Sequence, residues 1–199
     1  MTVRAALILV LLISSASAYA QWHKVNSNTT ENLNDLFFVD NLNGYCVGAN
    51  GTLLKSTDGG ASWNSIAMDA NTENFNDVYF IDANNGFVCA DTSIYKTTDG
   101  GQTFQSLSSL LTATNSSGAA SSISSLGIAF KGSTGVISAE YNSISSKMWK
   151  TNTFGQTWDS IPALHNYIHT HMIKIIDSLT WFSATQYYYK TTDGGIHWD

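Results

Sequence analysis

The sequence has 199 residues, with 9 Lys and Arg against 15 Asp and Glu, so its formal net charge is −6. Arg4 is the only arginine, and a chain with so few cations is a poor candidate for binding nucleic acid. With 43% hydrophobic and 12% charged residues, it is long enough and apolar enough to form one sizeable domain.

The first twenty residues have the features of a secretory signal peptide. Arg4 gives a positive start, Ala5 to Ile13 is an unbroken apolar run, and Ala18 to Ala20 fits the A-x-A pattern of a cleavage site. The apolar run is too short to span a bilayer. We therefore expect residues 1–20 to be removed, no membrane span, and a secreted mature protein (periplasmic, cell-surface or extracellular).

Four copies of one short phrase run through the rest of the chain. They begin at Lys55, Lys96, Lys150 and Lys190. A well-kept copy reads Lys-[Ser/Thr]-Thr-Asp-Gly-Gly, followed after two more residues by Trp or Phe. The copies lie about 40 residues apart, except for a longer gap between the second and the third. A repeat of about 40 residues with four short strands is typical of a β-propeller blade.

The strands are clearest in the first repeat unit. Apolar residues 33–39 precede a turn ending at Gly44, the Asn50-Gly51 pair predicts a hairpin, and residues 63–66 predict an outer strand. The second unit repeats this pattern closely. We predict an all-β propeller at residues 21–199, with repeat units over 31–68, 73–107, 126–161 and 170–199.

A Ser-, Ala- and Gly-rich insertion over residues 106–125 explains the longer gap. It is either a solvated surface loop or a binding loop, since insertions often lie on the binding face of repeat proteins. Residues 22–25 resemble an outer strand, whereas Asp199 lies where the outer strand of the fourth unit should begin. We therefore expect a truncated chain, the front part of a propeller with six to eight blades.

The phrase itself predicts a tight turn. Ser, Thr and Asp side chains accept hydrogen bonds from backbone amides of their own turn, glycines permit a positive φ, and the final aromatic side chain packs on the blade. The third copy has Thr153 and Phe154 in place of Asp and Gly, so we expect a looser turn there. The structural turn residues are Ser56, Asp58, Gly60, Trp63, Thr97, Asp99, Gly101, Phe104, Thr151, Gly155, Trp158, Thr191, Asp193, Gly195 and Trp198.

The pattern [Ser/Thr]-x-Asp-x-Gly-x-x-[Trp/Phe] resembles the Asp-box, or BNR repeat, of sialidase-like propellers. The fuller unit, with its Asn-Asp pair, hydrophobic strand, Asn-Gly turn and Lys-[Ser/Thr]-Thr-Asp-Gly-Gly, is more similar to secreted bacterial relatives of photosystem II assembly and stability factors. The resemblance extends from Trp22 to Trp198. It implies a β-propeller in which the box is a structural turn away from the ligand-binding face.

Two enzyme hypotheses follow from this resemblance. A sialidase is disfavoured, because sialidases hold the substrate carboxylate with arginines and residues 21–199 contain none. A glycoside hydrolase needs paired carboxylates, and Asp35 and Asp77 recur at equivalent inner-strand positions. Their recurrence is also explained by a hydrogen-bonding role at the blade edge. Glu140 is the only glutamate outside the repeated pattern.

Three smaller features leave alternatives open. His165, His169 and His171 form a metal site or are exposed histidines. Cys46 and Cys89 form a disulfide or are two buried thiols; their offset predicts opposite faces of equivalent strands, which favours the thiols. The lysines that begin the phrase form a ring for an acidic partner or lie along the blade edge.

Together these patterns favour a secreted, non-catalytic propeller that binds a protein or glycan partner through one face, without a cofactor or metal. An extracellular glycoside hydrolase is the alternative. The photosystem assembly role does not carry over from the resemblance, since those relatives rely on basic patches that an Arg-free chain cannot reproduce.

Overall fold

Four antiparallel sheets make up the fold in the computed structural model. The structure describes residues 24–68, 72–107, 109, 123–141, 145–161, 172–184 and 187–199. The sheets are numbered blades 1 to 4 in chain order; blades 1 to 3 have four strands each and blade 4 has three. This architecture confirms the predicted all-β propeller.

Each strand pairs with the next one along the chain. Blade 1 contains β1 (Leu33–Phe38), β2 (Gly44–Gly48), β3 (Leu53–Ser56) and β4 (Asn64–Ser65). Blade 2 contains β5 (Phe75–Phe80), β6 (Gly86–Ala90), β7 (Ile94–Thr97) and β8 (Gln105–Ser106). Blade 3 contains β9 (Ile123–Lys131), β10 (Thr134–Tyr141), β11 (Ser145–Thr151) and β12 (Asp159–Ile161). Blade 4 contains β13 (Met172–Ile175), β14 (Trp181–Ala184) and β15 (Tyr188–Thr191).

Short turns join the strands within a blade. Asn50 and Gly51, between β2 and β3, have φ values of 53° and 68°, and a type I′ hairpin turn requires such a positive pair. The connection from β1 to β2 closes around Asp40, whose Oδ1 accepts the N–H groups of Leu42 and Asn43 at 2.7 and 2.8 Å. Both turns lie where the sequence predicts them.

Within a blade, an inner-strand aromatic side chain lies over a glycine of the second strand. A Cβ added at Gly44 would come within 2.7 Å of the Phe38 ring, and the same arrangement recurs in blades 2 and 3. In blade 4 the large side chain is on the second strand instead. Trp181 on β14 pairs with the smaller Ile175 on β13. In each blade one large side chain fills the space that its partner leaves.

The hydrophobic core lies between the blades. Tyr45 of blade 1 stacks on Phe80 of blade 2 with ring centroids 3.7 Å apart, and Phe87 of blade 2 stacks on Phe130 of blade 3 at 5.2 Å. Trp181 is fully buried in the layer between blades 3 and 4. One blade therefore covers the face of the next, as propeller architecture requires.

The two cysteines are buried free thiols. Cys46 packs with Leu54 and Trp63 in blade 1, whereas Cys89 belongs to the core layer between blades 2 and 3. Burial raises the pKa of both thiols. The two residues occupy register positions one residue apart on equivalent strands, which places them on opposite blade faces.

The described strands differ from the predicted ones in two places. β9 begins at Ile123, inside the stretch 106–125 that we expected to be a loop, because pairing with β10 holds these Ser-rich residues in a strand against their weak preference. Residues 24–25 are not in a strand. There the chain is attached to blade 1 by a side chain, with Asn28 Nδ2 donating to Trp63 O at 2.9 Å.

Other predicted features lie outside the described residues. They are the signal peptide at 1–20, residues 110–122 of the insertion, and His165, His169 and His171. Among the residues that are described, no helix is long and apolar enough to cross a membrane.

Candidate functional site: the inner-strand groove

A groove of about 380 Å³ crosses the inner strands of all four blades, β1, β5, β9 and β13. Aliphatic side chains form part of its lining. The aromatic and charged side chains that line it are Phe37, Tyr79, Phe130, Asp35, Asp77 and Lys174. We use the name inner-strand groove for this feature.

Three aromatic rings form a row along one wall of the groove. The centroid of Phe37 lies 4.7 Å from that of Tyr79, which lies 5.5 Å from that of Phe130. The Tyr79 hydroxyl donates to the Phe130 carbonyl oxygen at 3.1 Å, and burial raises the pKa of Tyr79. The row is therefore attached to the neighbouring blade and offers apolar contact area at a fixed position.

Two carboxyl groups connect neighbouring inner strands. Asp35 Oδ2 accepts the N–H of Val78 at 2.9 Å, and Asp77 Oδ2 accepts the N–H of Ile128 at 3.1 Å. A register shift precedes each Asp on its strand. Such a bulge re-aims the following side chain, here onto the next blade. The recurring Asp thus makes a hydrogen bond between blades, which accounts for its repetition.

The carboxyl of Asp77 holds its proton more tightly than an ordinary Asp. Burial raises the pKa of Asp77 to about 7, and the Asp35 carboxyl raises it through its charge and a side-chain hydrogen bond. The Ile128 N–H and the Lys174 ammonium act in the opposite direction. Near neutral pH the Asp77 carboxyl is therefore only partly ionised.

Lys174 is the groove residue that sequence reasoning missed. It pairs with Phe182 as Phe37 pairs with Tyr45, so it occupies the inner-strand position at which Tyr79 also lies. The equivalent position is aromatic in blades 1 and 2, so a lysine in blade 4 departs from the repeat pattern. An alignment of the four repeat units would have identified this lysine. The groove consequently has carboxyl groups on blades 1 and 2 and a cation on blade 4.

Four box turns follow the third strands of the blades. The name denotes residues 56–63, 97–104, 151–158 and 191–198. In the second box turn, Thr97 Oγ1 accepts the N–H of Gly101 at 2.9 Å, and Asp99 Oδ1 accepts those of Gln102 and Thr103, both at 2.9 Å. The Thr103 hydroxyl and N–H lower the pKa of Asp99 to about 2. Similar bonds lower the pKa of the Asp in the first and fourth turns.

The third box turn keeps most of these hydrogen bonds without an Asp. Thr153 Oγ1 accepts the N–H of Thr157 at 3.0 Å, and the two hydroxyl oxygens lie 2.9 Å apart. Thr151 Oγ1 accepts the N–H of Gly155 at 3.1 Å. Phe154 adopts a φ of 54° in place of Gly, a strain of about 1 kcal/mol. The prediction of a looser turn is therefore wrong with respect to its hydrogen bonds.

The lysines that begin the phrase connect blades. Lys55 Nζ donates to Gly100 O at 2.8 Å, and Lys96 Nζ donates to Gly155 O at 3.0 Å, in each case in the box turn of the next blade. The third lysine reaches a turn of blade 4 at 3.5 Å. All four ammonium groups lie between 4.9 and 5.9 Å from an aromatic ring. Their contacts are those of structural links along the blade edge.

The chain is similar to known propeller proteins in part of its sequence and in its fold. Residues 14–76 match the family described as Photosynthesis system II assembly factor YCF48. The Photosystem II assembly lipoprotein Ycf48 of Parasynechococcus marenigrum (strain WH8102) is 40% identical over 48 residues, which are 24% of this chain and 14% of that protein. The match thus spans about a seventh of that relative's length.

A solved structure of YCF48 bound to D1 peptide matches 92% of this chain and 56% of that chain, with a TM-score of 0.63 and 21% identity. The chain is thus similar to photosystem II assembly factors in part of its sequence, and its fold is that of a β-propeller. The GH74 xyloglucanase of Xanthomonas campestris also matches, over 77% of this chain and 26% of that chain, with a TM-score of 0.60 and 13% identity. At these identities the two structural matches show the fold alone.

Proposed function

We propose that the protein is a non-catalytic interaction scaffold that binds an extended peptide segment of a partner protein in the inner-strand groove. The observation that carries the proposal is the lining of the groove, in which an aromatic row lies beside charges of both signs. Pockets with apolar walls and a few placed polar groups are typical binding sites. The related propeller solved with a bound peptide supports this assignment.

The charges of the groove favour a peptide that carries both signs. Lys174 offers an ammonium group to a peptide carboxylate, while Asp35 and Asp77 lie where a Lys or Arg side chain of the peptide would gain a counter-charge. Phe37 and Tyr79 supply apolar contact area in the same groove. Orientation of the peptide would then follow from charge, and affinity mainly from the rings.

Reversing the charge of Lys174 tests the proposal. Fluorescently labelled decapeptides of Ser, Ala and Tyr, carrying two Lys, two Glu, or two of each, are titrated with the full chain by anisotropy. We expect the peptide with both charges to bind most tightly, and Lys174→Glu to weaken its binding about tenfold, since charge complementarity is lost. Lys131→Glu is the matched control, because Lys131 is exposed and outside the groove.

Three outcomes would contradict peptide binding in the groove. The first is that none of the three peptides binds, and the second is an equal loss of affinity in the Lys131 and Lys174 variants. The third is displacement of the peptide by a xyloglucan oligosaccharide that itself binds the parent chain, which would assign the groove to a glycan.

The hydrolase alternative draws on the likeness to a GH74 enzyme and on Asp35 and Asp77. Retaining and inverting glycosidases separate their two carboxyl groups by roughly 5 Å and 6.5–9.5 Å, respectively, to accommodate the sugar or a water. The Asp35 carboxyl lies close enough to Asp77 to raise the pKa of that residue, and each of the two carboxyl groups accepts a backbone N–H of the next blade. Their geometry favours a structural pair, so binding is the better assignment.

Export is part of the proposal. Its support is the charged start, apolar run and A-x-A site within residues 1–20. We expect the protein recovered from outside the cytoplasm to begin at Gln21 when its N-terminus is sequenced. A recovered chain that retains Arg4 would contradict cleavage at Ala20.

A further inference from the structure

A carboxyl group joins the inner strands at two of the three junctions between the described blades. Asp35 on β1 accepts the N–H of Val78 on β5 at 2.9 Å, and Asp77 on β5 accepts the N–H of Ile128 on β9 at 3.1 Å. The same hydrogen bond thus connects blade 1 to blade 2 and blade 2 to blade 3.

The junction between blades 3 and 4 has no such carboxyl group. Gly127 on β9 pairs with Ser138 on β10, as Asp77 pairs with Cys89 in blade 2. The two pairs occupy the same register position, because each second-strand partner lies three residues after the glycine that faces the inner-strand aromatic ring. Since glycine has no side chain, blade 3 offers no carboxyl oxygen to blade 4 at this position.

The backbone amide that would receive this carboxyl group belongs to Ile173 on β13. Ile173 holds the register position of Val78 in blade 2 and of Ile128 in blade 3. N–H groups along an antiparallel strand point alternately towards the partner strand and away from it, so this register directs the Ile173 N–H away from β14. No side chain among the described residues accepts it, whereas Asp35 and Asp77 accept the two equivalent groups.

A second donor without a partner lies in the same junction. Ser183 on β14 is the cross-strand partner of Ile173, so the two side chains share one face of blade 4. That face packs against blade 3, because Ile173 belongs to one core layer with Ala129 and Met148. The Ser183 side chain is 1% exposed, and in the described part of the chain its hydroxyl has no hydrogen-bond partner, which is unusual for a buried group. The junction therefore contains two donors and lacks an acceptor.

The inner-strand groove reaches this junction, and a cation lies beside it. Ala129 of blade 3 and Ile173 of blade 4 both line the groove, and Lys174 follows Ile173 directly on β13. The ammonium group of Lys174 lowers the pKa of Asp77 at the neighbouring junction, so its charge acts across blade 3. An anion placed at the third junction would gain both a backbone donor and a counter-charge.

We propose that a carboxylate of the bound peptide completes the pattern at the third junction, where it accepts the Ile173 N–H and pairs with the Lys174 ammonium group. This inference rests on the proposed peptide-binding function and adds to it the position of one peptide group. Hydrogen bonds to a carboxylate are shorter and stronger than those to a neutral oxygen, which favours a carboxylate over an amide. The basic side chains of the peptide then extend towards Asp35 and Asp77.

Amide chemical shifts of the full chain, labelled at isoleucine nitrogen, test the contact directly. The probes are amidated decapeptides of Ser, Ala, Tyr and two Lys that carry either one Glu or one Gln. We expect the Glu peptide to move the Ile173 amide proton downfield and the Gln peptide to leave it in place. The Ile128 amide is the internal reference, since Asp77 already accepts it. Ile173→Val identifies the signal by removing it.

A third decapeptide, with Gln and a free C-terminus, identifies the source of the carboxylate. A downfield shift with the Glu peptide alone assigns the site to an acidic side chain. A shift with the free C-terminus as well assigns it to carboxylates of either origin.

Gly127→Asp supplies the missing carboxyl group from the chain itself. We expect this variant to move the Ile173 amide without peptide and to bind the Glu peptide about tenfold more weakly, because the donor is already occupied and like charges repel. Gly127→Ala is the matched control, which adds a Cβ but no acceptor and should bind within about threefold of the parent. Gly127 lies in β9 without a positive φ, so neither change strains the backbone there. Should Gly127→Asp fail to fold, the amide titration of the parent chain decides the question by itself.

Two results would overturn this site and leave peptide binding in place. The first is an Ile173 amide that responds equally to the Glu and Gln peptides, or to neither, while a peptide with both charges still binds in a manner that depends on Lys174. The second is equal affinity of Gly127→Asp and Gly127→Ala for the Glu peptide. Failure of every peptide to bind would instead overturn the proposed function itself.

Discussion

Replacing Gly155 by Ala destabilises the protein by about 2–4 kcal/mol, adding a left-handed backbone strain of about 1 kcal/mol to an overpacking term of 1–3 kcal/mol. Gly155 has a φ of 70° in the third box turn, and a Cβ there would come 2.4 Å from Cζ of Phe87. Phe87 is fully buried between blades 2 and 3, stacked on Phe130, so it cannot move away freely. Urea unfolding followed by tryptophan fluorescence measures the loss.

Gly132→Ala is the matched control for this substitution. Gly132 has a φ of 59° in the β9–β10 turn, and a Cβ built there meets nothing within 4 Å. Its free energy of unfolding should therefore fall only by the backbone strain, about 1 kcal/mol. Equal losses at Gly132 and Gly155 would show that the third box turn does not pack against Phe87.

Features within one blade could be predicted because their causes are local in the sequence. The Asn50-Gly51 turn follows from the positive φ values that these two residue types tolerate. Register along the strands then fixes which side chains share a face, and this placed Cys46 and Cys89 on opposite sides. Repetition of the phrase added the number and order of the blades.

Contacts between blades could not be predicted, because the sequence of one blade does not indicate which atoms of the next blade lie within hydrogen-bond distance of it. Lys55 and its acceptor Gly100 are 45 residues apart. The third box turn was misjudged for a different reason. The third copy lacks both the Asp and one Gly, yet the Thr153 hydroxyl replaces one carboxylate oxygen as an acceptor for the Thr157 N–H.

The groove could be predicted only in part. The recurrence of Asp35 and Asp77 was visible, but recurrence alone does not reveal that the Asp35 carboxyl raises the pKa of Asp77. Lys174 was visible as well, and its significance depends on the register that gives it the inner-strand position held by Phe37 in blade 1 and Tyr79 in blade 2. A functional site built from one residue per blade therefore requires an alignment of the repeat units before its members can be recognised.

Replacing Asp77 by Asn removes a dependence of stability on pH that the parent protein should show between pH 5 and 8. An Asp in the unfolded chain has a pKa of about 3.9, while burial and Asp35 raise that of Asp77 to about 7. Between these values the folded protein binds more protons than the unfolded chain. The free energy of unfolding contributed by Asp77 is therefore complete below pH 4 and is lost as the pH rises through 7.

The size of this effect follows from the part of the shift that lies within the measured pH range. From pH 5 to the folded pKa of about 7 it corresponds to at most about 3 kcal/mol, so we expect a difference of about 1–3 kcal/mol. The amide side chain of the Asp77→Asn variant keeps an acceptor for the Ile128 N–H and donates to Asp35, so it imitates the protonated acid. Unfolding free energies at pH 5 and pH 8 should then differ in the parent and be nearly equal in Asp77→Asn.

Asp40→Asn controls for the general effect of removing a carboxylate. Asn43 lowers the pKa of Asp40, so this exposed group is fully ionised from pH 5 to 8 in both states and its replacement should leave the parent slope unchanged. Lys174→Glu should steepen the slope, because it removes the cation that opposes protonation and adds another carboxylate to the groove. A flat parent profile would show that the pKa of Asp77 is not raised, and an equal slope in Asp77→Asn would assign the titrating proton to another group.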